Sequence, residues 1–151
     1  MRTYNFLMRA ALVVLGLVLG TSRMAQAQGE SGYRVVVNQK NSIASMSRDE
    51  LSRLFLKKTT SWSNGQTVAI VDRAEASDVR QKFTEDVHQR QVRAVKRYWQ
   101  QMIFGGRAVP PPEKSSDDEV LAFVRSNPNA IGYVSASTTL GDGVKPVDVK
   151  P

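Results

Sequence analysis

The sequence of 151 residues contains no cysteine and only one histidine. The absence of cysteine excludes disulfides, thiolate metal ligands and cysteine nucleophiles. His88 has no second histidine with which to share a metal ion, so we expect no metal site; we expect it near the end of a helix, where a cation suits the dipole. A Gly-rich phosphate loop ending in Lys and a Gly-x-Ser-x-Gly motif are also missing. The sequence therefore predicts a protein that is not an enzyme and needs no cofactor.

Acidic residues are fewer than basic ones, 14 against 21. Arg2, Arg9 and Arg23 lie near the amino terminus, so residues 28–151 keep a net charge of about +4. This excess is compatible with an anionic ligand but is too small to indicate nucleic acid, which we do not expect as a partner.

Long apolar runs are limited to residues 10–19, which are too short for a membrane-spanning helix of roughly 20 residues. Arg2 and Arg9 precede this run, and Ala25-Gln26-Ala27 follows it with small residues at the spacing of a cleavage site. We therefore predict a signal peptide over residues 1–27 and a periplasmic or secreted single domain over residues 28–151. An uncleaved membrane anchor is the alternative.

Apolar periodicity and capping residues predict strands that alternate with helices. Ser47 with Glu50 and Ser116 with Glu119 have the spacing of capping boxes. Pro146 indicates that the last strand lies at a sheet edge. The expected strands cover residues 33–38, 67–72, 131–135 and 144–149, and the expected helices follow Ser47, Ser77 and Ser116 or cover residues 90–104. This order predicts an α/β fold, a layered sheet with flanking helices.

Residues 70–77 place Arg73 just after an apolar strand and Ser77 at the start of the next helix. The amino terminus of a helix presents unpaired N–H groups and the positive end of its dipole, and so attracts anions. A guanidinium at the same point adds paired donors that suit phosphate, sulfate or carboxylate. The stretch therefore predicts a site for a small oxyanion. A free pocket is required, since a carboxylate of the chain in that place would remove the basis for the site.

Several blocks together resemble one half of a phosphate-binding periplasmic protein of the PstS-like, type II solute-binding class. The resemblance covers about residues 33–135, and its blocks are Val35-Val36-Val37-Asn38, residues 47–55, Trp62-Ser63-Asn64-Gly65, Arg73 with Ser77 and Phe83, residues 99–105 and residues 129–135. It implies a single-lobe, short form of the periplasmic-binding-protein-like (PBP-like) domain that binds phosphate and is linked to uptake by an ABC transporter.

The resemblance also implies the ligand-binding residues. In that class, the strand-end Arg and a Ser-Gly-Thr at the next helix bind phosphate. Arg73 and Ser77 match the Arg and the Ser, whereas Asp78 stands at the Gly position and Val79 at the Thr position. The implied site is therefore Arg73, Ser77, Asp78 and Val79, the last two through their backbone N–H groups.

Other interpretations of these residues stay open. Ser77 is also a normal helix cap, and Arg73 has acidic neighbours with which to pair: Asp72, Glu75 and Asp78. The chain is alternatively an envelope interaction module that kept the fold and lost the ligand, or one half of a homodimer that rebuilds a two-lobed cleft. The implied protein partner is an ABC transporter permease or another envelope protein.

A basic stripe of Arg90, Arg93, Lys96 and Arg97 follows the third predicted helix at intervals of three or four residues. A solvated helix face explains the stripe. Docking on an acidic partner or on the anionic envelope surface is the alternative.

Overall fold

A computed structural model describes residues 32–151. The predicted signal peptide, residues 1–27, lies outside the described residues. The elements in chain order are β1 (Tyr33–Asn38), β2 (Ser45–Ser47), α1 (Arg48–Phe55), β3 (Ala69–Ile70), β4 (Asp72–Arg73), α2 (Asp78–His88), α3 (Val92–Phe104), β5 (Glu113–Lys114), α4 (Asp117–Ser126), β6 (Ala130–Ser135), β7 (Val144–Pro146) and β8 (Asp148–Lys150).

The main sheet has four strands in the order β3-β6-β1-β7. β1 runs antiparallel to both β6 and β7, whereas β3 runs parallel to β6. Two parallel ribbons, β2 with β8 and β4 with β5, accompany this sheet. Pro146 lies in the edge strand β7, as expected for a residue without an N–H.

The sheet is buried on both faces, which confirms the predicted layered α/β fold. Val35 and Val37 of β1 face a core shared with α1 and α2, whereas Val36 faces a second core shared with α4. This alternation follows from the period of two along a strand. Helix α3 lies further out and buries Val95 and Trp99 against Leu56.

Gly132 allows α4 to approach the sheet closely. A Cβ atom at this position of β6 would lie 2.7 Å from Val71 Cγ1 and 2.8 Å from Val120 Cγ1, closer than atoms can pack. The close contact brings the start of α4 to the carboxyl end of β6.

The helix starts at Ser47, Ser77 and Ser116 are those predicted from the sequence, whereas α3 begins at Val92, two residues after the predicted start. Both capping boxes form, with Ser47 and Glu50 at α1 and with Ser116 and Glu119 at α4. Ser77 caps α2, where its side chain accepts a hydrogen bond from the Arg80 N–H. None of the helices within residues 32–151 is long and apolar enough to cross a membrane.

Two predicted strands are each divided in the structure. In the stretch 67–72, Val71 N donates to Ile131 O of the main sheet at 3.0 Å, but Asp72 N donates to Pro112 O at 2.9 Å. The chain thus changes partner at one residue, and β3 and β4 belong to different sheets. The stretch 144–149 divides into β7 and β8 in the same way.

Candidate functional site

The predicted site lies where the ends of two strands meet the starts of two helices. Arg73 is the last residue of β4, and Ser77 caps α2 four residues later. Asp117 is the first residue of α4, and Ser135 is the last residue of β6. Both helices present their amino termini here, so this edge attracts negative charge.

The guanidinium of Arg73 is almost fully enclosed, and the residue is 8% exposed. Its Nη1 forms an ion pair with Asp117 Oδ1. Its Nη2 donates to Ser115 O at 3.2 Å and lies 3.5 Å from Ser77 Oγ. Its Nε is buried and has no hydrogen-bond partner among the described residues. One donor of the guanidinium is therefore unpaired, although it is shielded from solvent.

Asp117 binds Arg73 in the way that an oxyanion would. Its second oxygen, Oδ2, accepts from Ser135 N at 3.1 Å and from the Thr138 hydroxyl. Burial works against the charged form, but the hydrogen bonds from Thr138 and Ser135 and the charge of Arg73 together lower the pKa of this carboxyl. Asp117 is therefore ionised at neutral pH. The free pocket required at Arg73 is not found, because the guanidinium already holds this carboxylate of its own chain.

The three acids next to Arg73 in the sequence are not its ion-pair partners. Asp72 Oδ2 pairs with Arg80 Nη1 at 2.7 Å, and Glu75 pairs with Lys96 Nζ at 3.0 Å. The side chain of Asp78 forms no ion pair within residues 32–151. Surface pairing of Arg73 with a sequence neighbour is thus replaced by a long-range pair with Asp117.

The start of α2 keeps two N–H groups available. The first N–H groups of a helix have no carbonyl partner within it, and those of Asp78 and Val79 have no acceptor elsewhere among the described residues. The Asp78 side chain is exposed, and Val79 packs partly against the core. Only the backbone of these two residues offers donors at this point.

A second ion pair, between Arg80 and Asp72, holds the backbone of Arg73 in place and was not predicted from the sequence. Arg80 is 5% exposed and donates to Arg73 O at 2.6 Å while it pairs with Asp72. Tyr133 donates its hydroxyl proton to the same Asp72 carboxylate. Because these side chains are buried and bonded to each other, they fix the direction in which β4 ends.

A cleft of about 1060 Å³ adjoins the start of α2. Its walls include Asp78 and Val79, the start of β1 and the segment after β6. The lining carries charges of both signs, from Arg34, Arg48 and Lys82 and from Asp78, Asp86 and Asp148. Arg73, Ser77 and Asp117 are not among its walls, so the guanidinium and this cleft are separate features.

His88 lies at the end of α2, as expected, but it is not a cation there. Burial and the nearby charges of Arg80, Arg90 and Lys58 lower its pKa to about 4. Its Nδ1 is 2.9 Å from Ser52 Oγ. The prediction of a favourable cation at the helix end is therefore wrong, because the desolvation of the imidazole outweighs its attraction to the helix dipole. Within residues 32–151, no three side chains of His, Cys, Asp or Glu group together in a way that could hold a metal ion.

Comparison with known proteins identifies the family of the chain. The family model described as the PBP superfamily domain matches residues 24–148. The chain belongs to the PBP superfamily. A sequence search of curated proteins finds no match.

Three solved structures with the same fold are longer than this PBP-superfamily chain, which covers less than half of each of them. One is a Clostridium perfringens protein assigned as a phosphate ABC transporter substrate-binding protein and solved with bound phosphate. It is 21% identical to this chain with a TM-score of 0.62, and the alignment covers 78% of this chain and 44% of that protein. An ABC-type phosphate transport receptor from Vibrio cholerae is 22% identical with a TM-score of 0.61; 78% of this chain covers 46% of it. PstS from Borrelia burgdorferi is 11% identical with a TM-score of 0.55; here 79% covers 47%. The chain therefore has the fold of one part of such proteins, as the predicted single-lobe form requires.

The structure brings Arg73 and Ser77 together and leaves Asp78 and Val79 beside them on the same helix start. The residue of this site that sequence reasoning missed is Asp117, which lies between the capping-box residues Ser116 and Glu119. The box uses only Ser116 and Glu119, so the Asp117 carboxylate had no assigned role, and that was the available signal. No pattern in the sequence pointed to Ser135 or Thr138 as partners in this site.

Proposed function

We propose that this protein is a solute-binding protein that recognises phosphate or a similar small oxyanion. The proposed site consists of the Arg73 guanidinium, the Ser77 hydroxyl and the backbone N–H groups of Asp78 and Val79. The observation that carries this proposal is the approach of Arg73 Nη2 to within 3.5 Å of Ser77 Oγ, at a helix start with two unpartnered N–H groups. The fold shared with a phosphate-bound structure supports the same ligand class.

Asp117 fills the pocket that this site requires to be free, so phosphate binding at Arg73 requires that this carboxylate is displaced. An anion that approaches Arg73 meets a carboxylate that already takes Nη1, and like charges repel strongly in a partly buried place. The donors left for a ligand are the Ser77 hydroxyl and the two N–H groups at the start of α2, since the unpaired Nε of Arg73 is buried. We therefore expect weak phosphate binding by the wild-type chain and tighter binding once the charge of Asp117 is removed.

Isothermal calorimetry with inorganic phosphate tests the proposal. Asp117→Asn keeps the shape and removes the charge, and we expect it to bind roughly tenfold more tightly or better, since about 1.4 kcal/mol of repulsion corresponds to a factor of ten. Arg73→Gln should abolish the heat of binding. Arg97→Gln removes an exposed cation of α3 and serves as the charge-matched control, with wild-type binding.

Two results would contradict the proposal. The first is an absence of binding heat in both the wild type and Asp117→Asn while circular dichroism shows both to be folded. The second is equal binding by Arg73→Gln and the wild type, which would place the ligand elsewhere.

A second candidate function is that of an envelope interaction module in which Asp117 has replaced the ligand. It is favoured by the three donors that this carboxylate takes, from Arg73, Ser135 and Thr138. In this case phosphate binds neither to the wild type nor to Asp117→Asn. The substitution Asp117→Ala destabilises the fold by about 3 kcal/mol, because a buried guanidinium loses its partner. The exposed Asp118 gives the control, with a loss below about 1 kcal/mol on Asp118→Ala.

The wider setting of the proposed function follows the same hypothesis. We infer that the protein is not an enzyme, that residues 1–27 are removed on export, and that residues 28–151 act as one periplasmic or secreted domain. An ABC transporter permease is the proposed partner in uptake. A homodimer that rebuilds a two-lobed cleft is tested by sedimentation with and without phosphate, since a monomer in both conditions excludes it.

A further inference from the structure

The end of α3 and the segment that follows it carry three exposed apolar side chains, Ile103, Phe104 and Val109, which we call the apolar tip. These are the exposed large apolar side chains of residues 32–151, and Phe104 is 94% exposed. Gly105 and Gly106 directly follow the helix, and a Cβ atom added to Gly106 would meet no other atom within 4 Å. The tip therefore projects away from the rest of the fold instead of lining a groove.

The basic stripe leads directly to this tip. At 100° per residue, Arg93, Arg97 and Phe104 lie on the same side of α3, opposite the buried Val95 and Trp99. Arg93 and Arg97 are exposed, and neither has an ion-pair partner within residues 32–151.

A third unpaired guanidinium stands at the tip itself. Arg107 folds back over the end of α3, where its Nε would lie 3.4 Å from a Cβ on Gly105. It is exposed and forms no ion pair with a carboxylate of the described residues. By contrast, Lys96 on the flank of the helix is bound to Glu75 at 3.0 Å. The outward face thus combines three available cations with one fully exposed aromatic side chain.

We propose that this face of α3 docks on an anionic phospholipid bilayer. Phe104, at the end of this face, enters the boundary between headgroups and acyl chains, and Arg93, Arg97 and Arg107 contact the lipid phosphates. Helix α3 contains no carboxylate, so its exposed cations are complementary to the negative charge of such a bilayer. A stable protein interface buries about 800 Å² on each partner, for which a projecting tip of three side chains is too small, whereas a bilayer accepts a small insertion supported by cations. The proposal does not use Arg73 and stands independently of phosphate binding.

Vesicle co-sedimentation tests this assignment. The protein is residues 28–151, because the described core lies within residues 32–151 and because the apolar run at 10–19 would itself bind lipid. Vesicles of phosphatidylethanolamine with phosphatidylglycerol should pellet the wild type, vesicles of phosphatidylcholine alone should not, and added salt should weaken the binding.

Three variants separate the two parts of the surface. The double variant Arg93→Gln/Arg97→Gln should lose roughly 30-fold in partitioning, at about fivefold for each charge. Phe104→Ser should lose roughly tenfold through the missing apolar insertion. The double variant Lys40→Gln/Lys150→Gln removes two exposed cations from other elements and should bind like the wild type.

The proposal is overturned if the folded wild type stays in the supernatant with the anionic vesicles. It is also overturned if the Lys40→Gln/Lys150→Gln control loses as much binding as the Arg93→Gln/Arg97→Gln variant, since net charge alone would then explain the binding. Wild-type partitioning of Phe104→Ser would exclude insertion of the tip. Circular dichroism shows that each variant is folded before it is compared.

Discussion

At the scale of single residues, His88 is held neutral by its surroundings. It is partly buried at the end of α2 and contacts the edge of the Phe83 ring, with centroids 5.6 Å apart. Arg80, Arg90 and Lys58 add positive charge around it, and burial is the largest cause of the fall of its pKa to about 4. Protonation therefore favours the unfolded chain.

This depressed pKa predicts a loss of stability in acid. In the unfolded chain His88 binds a proton near its ordinary pKa of 6.5, but in the folded chain only near pH 4. The free energy of unfolding should thus fall between pH 6.5 and 4 by up to about 3 kcal/mol. Below pH 4 this residue should cause no further change, because it is protonated in both states. Urea unfolding across this range, for the wild type and for His88→Gln, measures the effect. An equal fall in both proteins would assign the acid sensitivity to other groups.

The residue scale also shows what sequence could predict of the site. Arg73 and Ser77 are four positions apart, so a strand end and a helix cap place them together by local rules. Asp117 is 44 positions from Arg73, and no local pattern relates the two. The predicted donors are therefore present, but the anion already bound to one of them could not be foreseen without the fold.

At the scale of secondary-structure elements, the helix starts were the most predictable feature. A capping box is a relation between residues three positions apart, and both boxes form as expected. Strand partners were less predictable because they depend on distant segments. Residues 67–72 have one continuous strand pattern, yet β4 pairs with β5, about forty positions further along the chain.

The cap of α4 has a measurable role. Ser116 Oγ accepts from Glu119 N at 3.2 Å, and this helix carries Asp117 to Arg73. Ser116→Ala should lower the free energy of unfolding by about 1 kcal/mol, as measured by thermal and urea unfolding. The control is Ser137→Ala, which changes an exposed serine and should cost less than about 0.5 kcal/mol. Equal stability of the two variants would show that the box does not stabilise α4.

At the scale of the whole molecule, one sheet joins the two main cores. β1 and β6 contribute side chains to both, since alternate residues face α1 and α2 or face α4. The resemblance to one half of a phosphate-binding protein predicted this fold because its blocks lie along both central strands. Helix α3 is different, because its buried cluster of Leu56, Val95 and Trp99 is separate from both cores.

This separation predicts that α3 opens before the rest of the fold. Apart from its small cluster, α3 is attached through the Tyr98 hydroxyl, which donates to Leu56 O at 2.8 Å, and through the exposed ion pair of Lys96 with Glu75. Native-state hydrogen exchange should give the amides of α3 a lower opening free energy than those of β1, where opening requires global unfolding. Trp99→Leu should lower protection in α3 and leave β1 nearly unchanged, whereas Val36→Ala should lower protection in both, because a loss in the shared sheet lowers the global stability. Equal protection of α3 and β1 in the wild type would mean that the outer helix is part of the same cooperative unit as the sheet, and Trp99→Leu would then weaken every element together.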